Sequence, residues 1–411
     1  MKQKNRITLV AVLLLIAVAS PVRLEAQPGP YEVVDLGTLG GTSGWANGID
    51  NGGSVAGFST LPLDQNQHAF IWRQGVMTDL GTLGGPNSIT SFSPFNERGE
   101  IGGAAETSTP DPNGEDFCFF GEHFGTLLTC RPVVWHDGTI TALPTLGGNN
   151  GAANQVNDRG QVVGTAENDA LLPPCLQHEG LALPVLWEHA EVLQLPLFPG
   201  DQAGVALAIN DNGRSVGFSI SCTGAHALIW QDGTAHDLGG LGGTFSIANA
   251  INNQDQVVGQ SNLAGDTTFH AFLWFDGVMT DLGTLPGHSS SAAFGINSRG
   301  QIVGQSCSDV ECRAFLWQDG AMTDLNDLIS PDSSLFLFEP ISINTRGQVA
   351  GAALDVNTLE TRAFLATPSN DSIGGSFVTS AAPSRVHLPE TGRTLVKHGV
   401  ARKADIRATP N

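Results

Sequence analysis

A short glycine-punctuated string recurs along almost the whole chain and limits the folds that the chain can adopt. The string has the form N-x-x-G followed by x-[VIS]-x-G, as in DNGGSVAG from Asp50, NDRGQVVG from Asn157 and NSRGQIVG from Asn297. Its seven copies end at glycines 57, 103, 164, 217, 259, 304 and 351, so six intervals cover 294 residues and average 49. A period of this length is typical of an array of similar supersecondary units.

Two further strings follow the first, one of them after all seven copies and the other after the first six. One resembles A-F-x-W and ends at Trp72, Trp135, Trp187, Trp230, Trp274 and Trp317, and its last copy, RAFLA from Arg362, lacks the tryptophan. The other resembles M-T-D-L-G-T-L-G-G and starts at Met77, Ile140, Val192, Ala235, Met279 and Met322. A seventh copy of this last string starts at Val33 and has no A-F-x-W string before it. The array therefore begins with the last string of a repeat, and it ends with an A-F-x-W string that no such string follows.

Each repeat therefore contains four strand candidates, which are rich in β-branched and aromatic residues and bounded by Gly, Asn and Asp. Asn or Asp followed by Gly favours tight hairpin turns. Four antiparallel strands in each repeat predict an all-β fold, a seven-bladed β-propeller of four-stranded blades over residues 27–367. We expect the N-terminal strand Tyr31–Leu36 to complete the last blade, begun at Ile341, and so to close the ring without an open edge. The alternatives are a linear β-solenoid and a run of separate sandwiches.

The two ends of the chain differ from the repeats. Residues 1–26 combine a basic start, a short apolar run over Thr8–Ala19 and a small residue at Ala26, which predicts a cleaved signal peptide, with an uncleaved anchor helix as the alternative. Residues 368–411 are rich in Ser, Thr, Pro and Arg, which predicts a flexible C-terminal tail. LPETG at Leu388–Gly392 resembles a cell-wall sorting signal, but no apolar stretch follows it, so we interpret the match as chance. The sequence predicts a secreted protein, extracellular or periplasmic.

The repeats are strongly acidic. Residues 31–367 contain nine Arg, no Lys and 36 acidic residues, a formal net charge of −27. Such a surface repels phosphate backbones and anionic lipids, so we expect no nucleic-acid partner and no membrane binding. Cations, neutral glycans and basic proteins remain open as partners, and we expect a monomer without a membrane span or a cofactor.

The second string also resembles a known family, the bacterial extracellular HAF-repeat proteins. His68-Ala69-Phe70 and His270-Ala271-Phe272 match its His-Ala-Phe string, and His226-Ala227-Leu228 nearly does. The likeness extends over about residues 31–367, and the segment Pro184–Trp187 departs most from the pattern. The resemblance implies a secreted, propeller-like repeat protein and supplies no catalytic residues.

Length variation is concentrated in the loops between the second and third strands, with insertions at 104–130, 165–182 and 305–312. Variation on one face marks either a binding face or neutral drift of surface loops. All six cysteines are predicted to lie in these loops, and an even count in an exported chain favours disulfides. The predicted pairs are Cys118 with Cys130, Cys307 with Cys312, and Cys175 with Cys222, the last of which joins neighbouring blades. Zinc is the alternative, since His123, His178 and Glu179 lie near cysteines, but their spacing is not that of a compact finger.

Repeated residues favour structural interpretations. His68, His226 and His270 share their position with Arg131, Arg313 and Arg362, which suits a polar position at the entry to a strand. The repeated tryptophans are predicted to pack between blades. The aspartate of D-L-G is predicted to cap the crossing, the connection that leads from one blade to the next. The alternative is a ring of cation-binding aspartates, but the chain has no D-x-D-x-D-G loop that would support it. These aspartates are Asp35, Asp79, Asp237, Asp281 and Asp324.

Residues that break the repeat are the better candidates for a site. No nucleophile elbow, zinc-protease helix, P-loop or dinucleotide motif occurs, so no catalytic residue is proposed and no metal site is predicted. On the face that carries the loop insertions, the candidate binding residues are Trp45, Glu122, His123, His178, Glu179 and His288. The sequence favours a secreted, non-catalytic binding or scaffold protein whose ligand is an unknown glycan or protein. The alternative is a glycan-active hydrolase or lyase with its acids on the same face.

Overall fold

The computed structural model describes residues 30–170, 172–176 and 182–369. The signal-peptide prediction for residues 1–26 falls outside these ranges, and so do residues 370–411 of the predicted tail. Within the described residues the chain is built almost entirely of β-strands, and the period of the sequence becomes a period of four strands.

The first strand, β1, spans Tyr31–Asp35. Repeat 1 then consists of β2 (Gly44–Ile49), β3 (Val55–Thr60), β4 (Gln67–Arg73) and β5 (Val76–Asp79). Repeat 2 consists of β6 (Gly84–Phe95), β7 (Ile101–Pro110), the helix α1 (Phe120–Phe124), β8 (Leu128–His136) and β9 (Thr139–Ala142). Repeat 3 consists of β10 (Gly151–Val156), β11 (Val162–Ala166), β12 (Leu183–Glu188) and β13 (Glu191–Gln194).

The remaining repeats follow the same order. Repeat 4 consists of β14 (Ala203–Ile209), β15 (Ser215–Ser221), β16 (Gly224–Gln231) and β17 (Thr234–Asp237). Repeat 5 consists of β18 (Gly242–Ile251), β19 (Val257–Leu263), β20 (Phe269–Phe275) and β21 (Val278–Asp281). Repeat 6 consists of β22 (Ser290–Ile296), β23 (Ile302–Cys307), β24 (Cys312–Gln318) and β25 (Ala321–Asp324). Repeat 7 adds β26 (Leu335–Ile343), β27 (Val349–Asp355) and β28 (Thr361–Pro368). Three short 3-10 turns lie at Pro62–Asp64, Pro174–Leu176 and Leu325–Asp327.

In repeats 1 to 6 the four consecutive strands, here named a to d, pair antiparallel in chain order. The sheets of repeats 4 and 5 are also joined by one parallel bridge between Ala225 and Phe245, which makes an eight-stranded sheet. The predicted all-β class and the four-stranded antiparallel sheets are confirmed.

Repeat 7 takes its fourth strand from the start of the chain. β1 pairs antiparallel with β28, so Val33 lies opposite Ala366 and Asp35 opposite Phe364. The pairing is the one that the displaced strings predict, although the sheet begins at Leu335 and not at Ile341. Tyr31 and Leu36 are both buried, and the Tyr31 hydroxyl donates to the carbonyl oxygen of Gly347 over 3.1 Å.

The turns between strands c and d are two-residue hairpins with left-handed backbone at both positions. Asp137 and Gly138 have φ of 47° and 75°, as a type I′ turn requires. In repeat 3 the same positions are His189 and Ala190, with φ of 53° and 66°. Residues other than glycine seldom adopt this left-handed backbone conformation. Repeat 3 therefore forms the same turn without the glycine that favours it.

The strand order separates the loops into two groups. We call the loops b–c and the crossings from strand d to the next strand a the insertion face, and the turns a–b and c–d the turn face. Buried side chains fill the space between neighbouring repeats: Trp135 is 2% exposed and packs with Ala56 and Ile71 of the preceding repeat, as predicted for the repeated tryptophans. No helix within the described ranges is long and apolar enough to cross a membrane.

Candidate functional site

Three disulfide bonds fasten the insertion face. They join Cys118 to Cys130, Cys175 to Cys222 and Cys307 to Cys312, which are the predicted pairs. The prediction that all six cysteines lie in loops is wrong for three of them, since Cys130 lies within β8, Cys307 ends β23 and Cys312 begins β24. The reason is that ladder pairing continues up to the Cys307–Cys312 pair itself.

Trp45, the first candidate binding residue, lies in β2 and contacts repeat 7. Its indole Nε1 donates to Glu339 Oε2 over 3.1 Å. The ring stacks on Phe58 with 5.8 Å between centroids and meets the edge of Phe338. Trp45 is thus half-buried between two repeats.

Glu122 and His123 lie on α1, in the longest loop, and both are exposed. The backbone N–H of Glu122 donates to Asp116 Oδ2, and His123 Nδ1 lies 3.0 Å from the carbonyl oxygen of Phe119. His178 and Glu179 fall outside the described residues. The predicted binding role of these four residues therefore stays a prediction.

His288 lies in the crossing from β21 to β22. Its Nδ1 is 3.1 Å from the hydroxyl oxygen of Ser306. Burial lowers the pKa of His288, and the positive charge of Arg313 acts in the same direction. His288 is thus a half-buried imidazole whose environment disfavours its cationic form.

The histidines of the H-A-F string pair with aspartates of the crossings. His68 Nδ1 lies 2.7 Å from Asp79 Oδ2 and His270 Nδ1 lies 2.9 Å from Asp281 Oδ2, while Arg313 forms the same pair with Asp324. Asp79 also accepts the N–H of Gly81 over 2.7 Å, which is the predicted cap. Burial opposes ionisation of Asp79, but hydrogen bonds from His68 and Gly81 outweigh it and lower its pKa. The aspartates of the other D-L strings, Asp35, Asp237, Asp281 and Asp324, each accept the N–H two residues later in the same way.

A buried glutamate and a half-buried one on the insertion face were not predicted. Glu106, 1% exposed, accepts hydrogen bonds from Asn87 and from the Thr126 hydroxyl. Glu167 stands at the same position of repeat 3 and accepts the N–H of Asn150 over 2.9 Å. Burial raises the pKa of both carboxyl groups. The sequence signal was the glutamate three residues after the strand-b glycine of repeats 2 and 3, where repeat 1 has Thr60.

A central cavity opens on the turn face, opposite the face that carries the insertions. Its volume is about 200 Å³, and all seven repeats contribute to its wall. Its apolar part is formed by the last residues of the a strands, namely Ile49, Phe95, Val156, Ile209, Ile251, Ile296 and Ile343. Its polar rim is formed by one residue of each a–b turn, namely Asn51, Glu97, Asp158, Asp211, Asn253, Ser298 and Thr345.

The turn asparagines hold this rim together. Asn157 Nδ2 donates to the carbonyl oxygen of Asn210 over 3.0 Å, and Asn210 Nδ2 donates to that of Asn252 over 3.1 Å. The same bond links Asn96 to Asn157, Asn252 to Asn297, Asn297 to Asn344, and Asn344 to Asp50. Each turn is thereby fixed by its neighbour, which keeps the rim residues in register around the cavity.

Negative charge is concentrated on one part of the rim. Glu97, Asp158 and Asp211 come from three consecutive repeats, whereas the other four rim residues are neutral. The N–H of Glu97 donates to Asp158 Oδ1 over 2.8 Å, and the N–H of Asp158 donates to Asp211 Oδ1 over 2.9 Å. Burial, with repulsion from Asp50 and Asp158, raises the pKa of Glu97. Within the residues that the structure describes, no group of three or more His, Cys, Asp or Glu could hold a metal ion.

Sequence reasoning missed this cavity because it followed loop length. The signal that could have found it is the residue after each turn asparagine, which varies from Glu and Asp to Ser and Thr while its neighbours repeat. Variation at one position of an otherwise constant turn is a change of chemistry without a change of length.

Comparison with known proteins yields likeness in structure alone. No protein-family model matches the chain, and no curated protein matches it. The β-propeller domain of the Trilobed protease from Pyrococcus furiosus is 11% identical, with 69% of this chain and 82% of that chain covered and a TM-score of 0.44. A gluconolactonase from Xanthomonas campestris is 10% identical, with 83% and 97% covered and a TM-score of 0.38. YCF48 bound to D1 peptide is 11% identical, with 84% and 97% covered and a TM-score of 0.44.

Proposed function

We propose that this chain is an exported, closed seven-bladed β-propeller that binds a ligand and does not catalyse a reaction. The cavity on the turn face carries the proposal, because all seven repeats contribute side chains to its wall. A concave site of mixed polar and apolar lining is the usual form of a ligand site. The three disulfide bonds support export to an oxidising compartment. We also propose membership of the HAF-repeat proteins on the strings at His68 and His270.

Closure of the ring is supported by contacts between the last and first repeats. Asn344 Nδ2 donates to the carbonyl oxygen of Asp50, and the N–H of Thr345 donates to Asn51 Oδ1 over 2.9 Å. β1 also provides the outer strand of repeat 7. A linear solenoid would leave the first and last repeats with free sides, which these contacts cover.

A binding role is favoured over catalysis because the reactive side chains already serve the framework. His68 and His270 pair with aspartates that cap crossings, and His288 contacts Ser306. A general acid must reach its substrate, but Glu106 is 1% exposed and is held by Asn87 and Thr126. These groups stabilise crossings and strand starts.

The proposal is tested with purified residues 27–411 on glycan arrays, peptide arrays and a panel of glycoside hydrolase and lyase substrates. We expect binding to at least one array, no turnover, and loss of that binding in the rim variant Asp158→Asn. The matched control is Asp276→Asn, which removes one carboxylate from an exposed c–d turn on the same face and keeps a residue that tolerates the left-handed backbone, φ 49°. Turnover that depends on a carboxylate of the insertion face would establish the hydrolase or lyase instead.

A further inference from the structure

The cavity on the turn face has the size and chemistry of a site for one long cationic side chain. Its volume of about 200 Å³ is comparable to cavities that accept a single benzene-sized group, at roughly 150 Å³. The isoleucines at the strand ends offer apolar contact, and the rim carboxylates of Glu97, Asp158 and Asp211 lie on one side of the opening. Lysine and arginine side chains bury an apolar stem and keep their charge at a polar edge.

After residue 30, basic side chains outnumber acidic ones only in the C-terminal region of the chain. Residues 31–367 contain nine Arg and no Lys, against 36 acidic residues. Residues 370–411 contain six basic residues and three acidic ones, and the basic ones are Arg385, Arg393, Lys397, Arg402, Lys403 and Arg407. The charge of this segment is thus opposite to that of the repeats.

The segment also starts on the correct face. β28 is the c strand of repeat 7, so it ends among the turns of the turn face. Pro368, the last residue of β28, lies beside Gly347, since a Cβ placed on that glycine would be 3.4 Å from Pro368 Cγ. Gly347 belongs to the turn whose Thr345 lines the cavity. The c strand lies only two strand spacings, about 10 Å, from the a strand that lines the cavity. The 42 residues from 370 to 411 are far longer than this distance requires, at about 3.3 Å for each extended residue.

We propose that the basic C-terminal segment, residues 385–407, binds to the cavity of its own chain and places a lysine or arginine side chain against Glu97, Asp158 and Asp211. The segment then competes with an external ligand for the same site. This inference rests on the proposed binding role of the cavity. The contact is electrostatic at an open rim, so it weakens as salt screens the charges.

The absence of lysine from residues 31–367 allows a direct test with a chain of residues 27–411. A carbodiimide joins a lysine amine to a carboxylate in contact with it, so apart from the N-terminal amine every such cross-link must start at Lys397 or Lys403. We expect intramolecular cross-links from these lysines to Glu97, Asp158 or Asp211, identified by peptide mass spectrometry. Raising NaCl from 0.05 M to 0.5 M should reduce them several-fold.

Two variants and one added peptide separate the outcomes. The triple variant Glu97→Gln, Asp158→Asn, Asp211→Asn should lose the cross-links, while Asp276→Asn should keep them. Cross-links that go to the insertion face, that join two copies of the chain, or that fail to form would overturn the proposal. A synthetic peptide of residues 385–411 added to the full chain distinguishes the two failures. If only the added peptide is cross-linked to the rim, the cavity binds but its own segment does not occupy it. If neither is cross-linked, the inference fails, while the proposed binding role of the cavity is decided separately by the array experiment with Asp158→Asn.

Discussion

Asn344 donates a hydrogen bond from its Nδ2 to the carbonyl oxygen of Asp50 over 3.0 Å, and these two residues are 294 positions apart in the chain. The bond repeats the link that each turn asparagine from Asn96 to Asn297 makes with its neighbour. At Asp50 the series is interrupted, because a carboxylate cannot donate. The turn of repeat 1 therefore accepts from repeat 7, and it contacts repeat 2 through Asn51, whose Nδ2 donates to Glu97 Oε1.

Replacing Asn344 by Ala should destabilise the protein by about 1–3 kcal/mol. The change removes a buried donor and leaves the N–H groups of Arg346 and Gln348 without the Oδ1 that accepts them. Asn357→Ala, at an exposed position of a b–c loop, is the control and should change the free energy of unfolding little. Urea denaturation of both variants measures the difference. Equal effects of the two substitutions would contradict a structural role for the link between repeats 7 and 1.

Replacing Asp50 by Asn should stabilise the protein by about 1 kcal/mol. The new amide can donate to the turn of repeat 2, as the other turn asparagines do to their neighbours, and the acceptor for the N–H of Ser54 is kept. The substitution also removes the negative charge of Asp50, which adds to the effect of burial in raising the pKa of Glu97. The pKa of Glu97, followed by NMR, should fall in the variant. An unchanged pKa together with unchanged stability would contradict this description of the turn.

Deleting residues 27–37 should destabilise the protein much more than deleting residues 370–411, although the second cut is longer. The first deletion removes β1 together with Leu36, exposes β28 as an edge, and loses the burial of Tyr31 and Leu36, about 2 kcal/mol for each large apolar side chain. Thermal melts and size-exclusion profiles of the two variants make the comparison. If the 27–37 deletion melts within a degree or two of the intact chain and stays monomeric, the proposed closed ring is wrong.

The contribution of Glu106 to the free energy of unfolding should fall as the pH rises above the ordinary pKa of glutamate. Burial raises its folded-state pKa from 4.5, so the folded state binds the proton more tightly than the unfolded state does. The stabilisation that Glu106 provides is complete below about pH 4.5, and it is lost as the pH rises through the raised pKa of the folded state. Glu106→Gln, which stays neutral, should flatten this part of the profile in urea denaturation from pH 4 to 8. Glu122→Gln, at an exposed position of the same loop region, controls for the lost charge and should leave the slope as it is.

Removing the Cys175–Cys222 disulfide should cost more than removing Cys307–Cys312. The first closes a separation of 47 residues and the second a separation of 5, so the chain-entropy difference is about 2 kcal/mol. Double serine variants, compared by urea denaturation, give the two costs. A larger effect of the Cys307–Cys312 pair would show that local packing near Phe336 and Phe338 outweighs chain entropy.

Much of the fold was predictable because its determinants are local and repeated. The strand candidates, the hairpin turns and the aspartate caps follow from residues within a few positions of each other, and the pattern occurs often enough to identify them. The displaced string at Val33 even predicted the pairing of β1 with β28. The extent of the strands was less predictable, since Cys307 and Cys312 continue a ladder that the sequence assigned to a loop.

The candidate site was not predictable in the same way. Loop length pointed to the insertion face, where Trp45 contacts Glu339 and His288 contacts Ser306. The cavity lies on the other face and joins Asn51 of repeat 1 to Thr345 of repeat 7. No property of either residue alone indicates the cavity.

The sequence by itself determined the repeat, the four strands in each copy, the turns and the acidic charge, because each depends on residue type and near neighbours. The tertiary structure decided which side chains share a space. It placed Glu97, Asp158 and Asp211 side by side although they are 53 or more residues apart, and it closed Glu106 off from water behind Asn87 and Thr126. Burial and charge repulsion act through distance in space, so the pKa shifts and the cavity exist only once the strands have assembled.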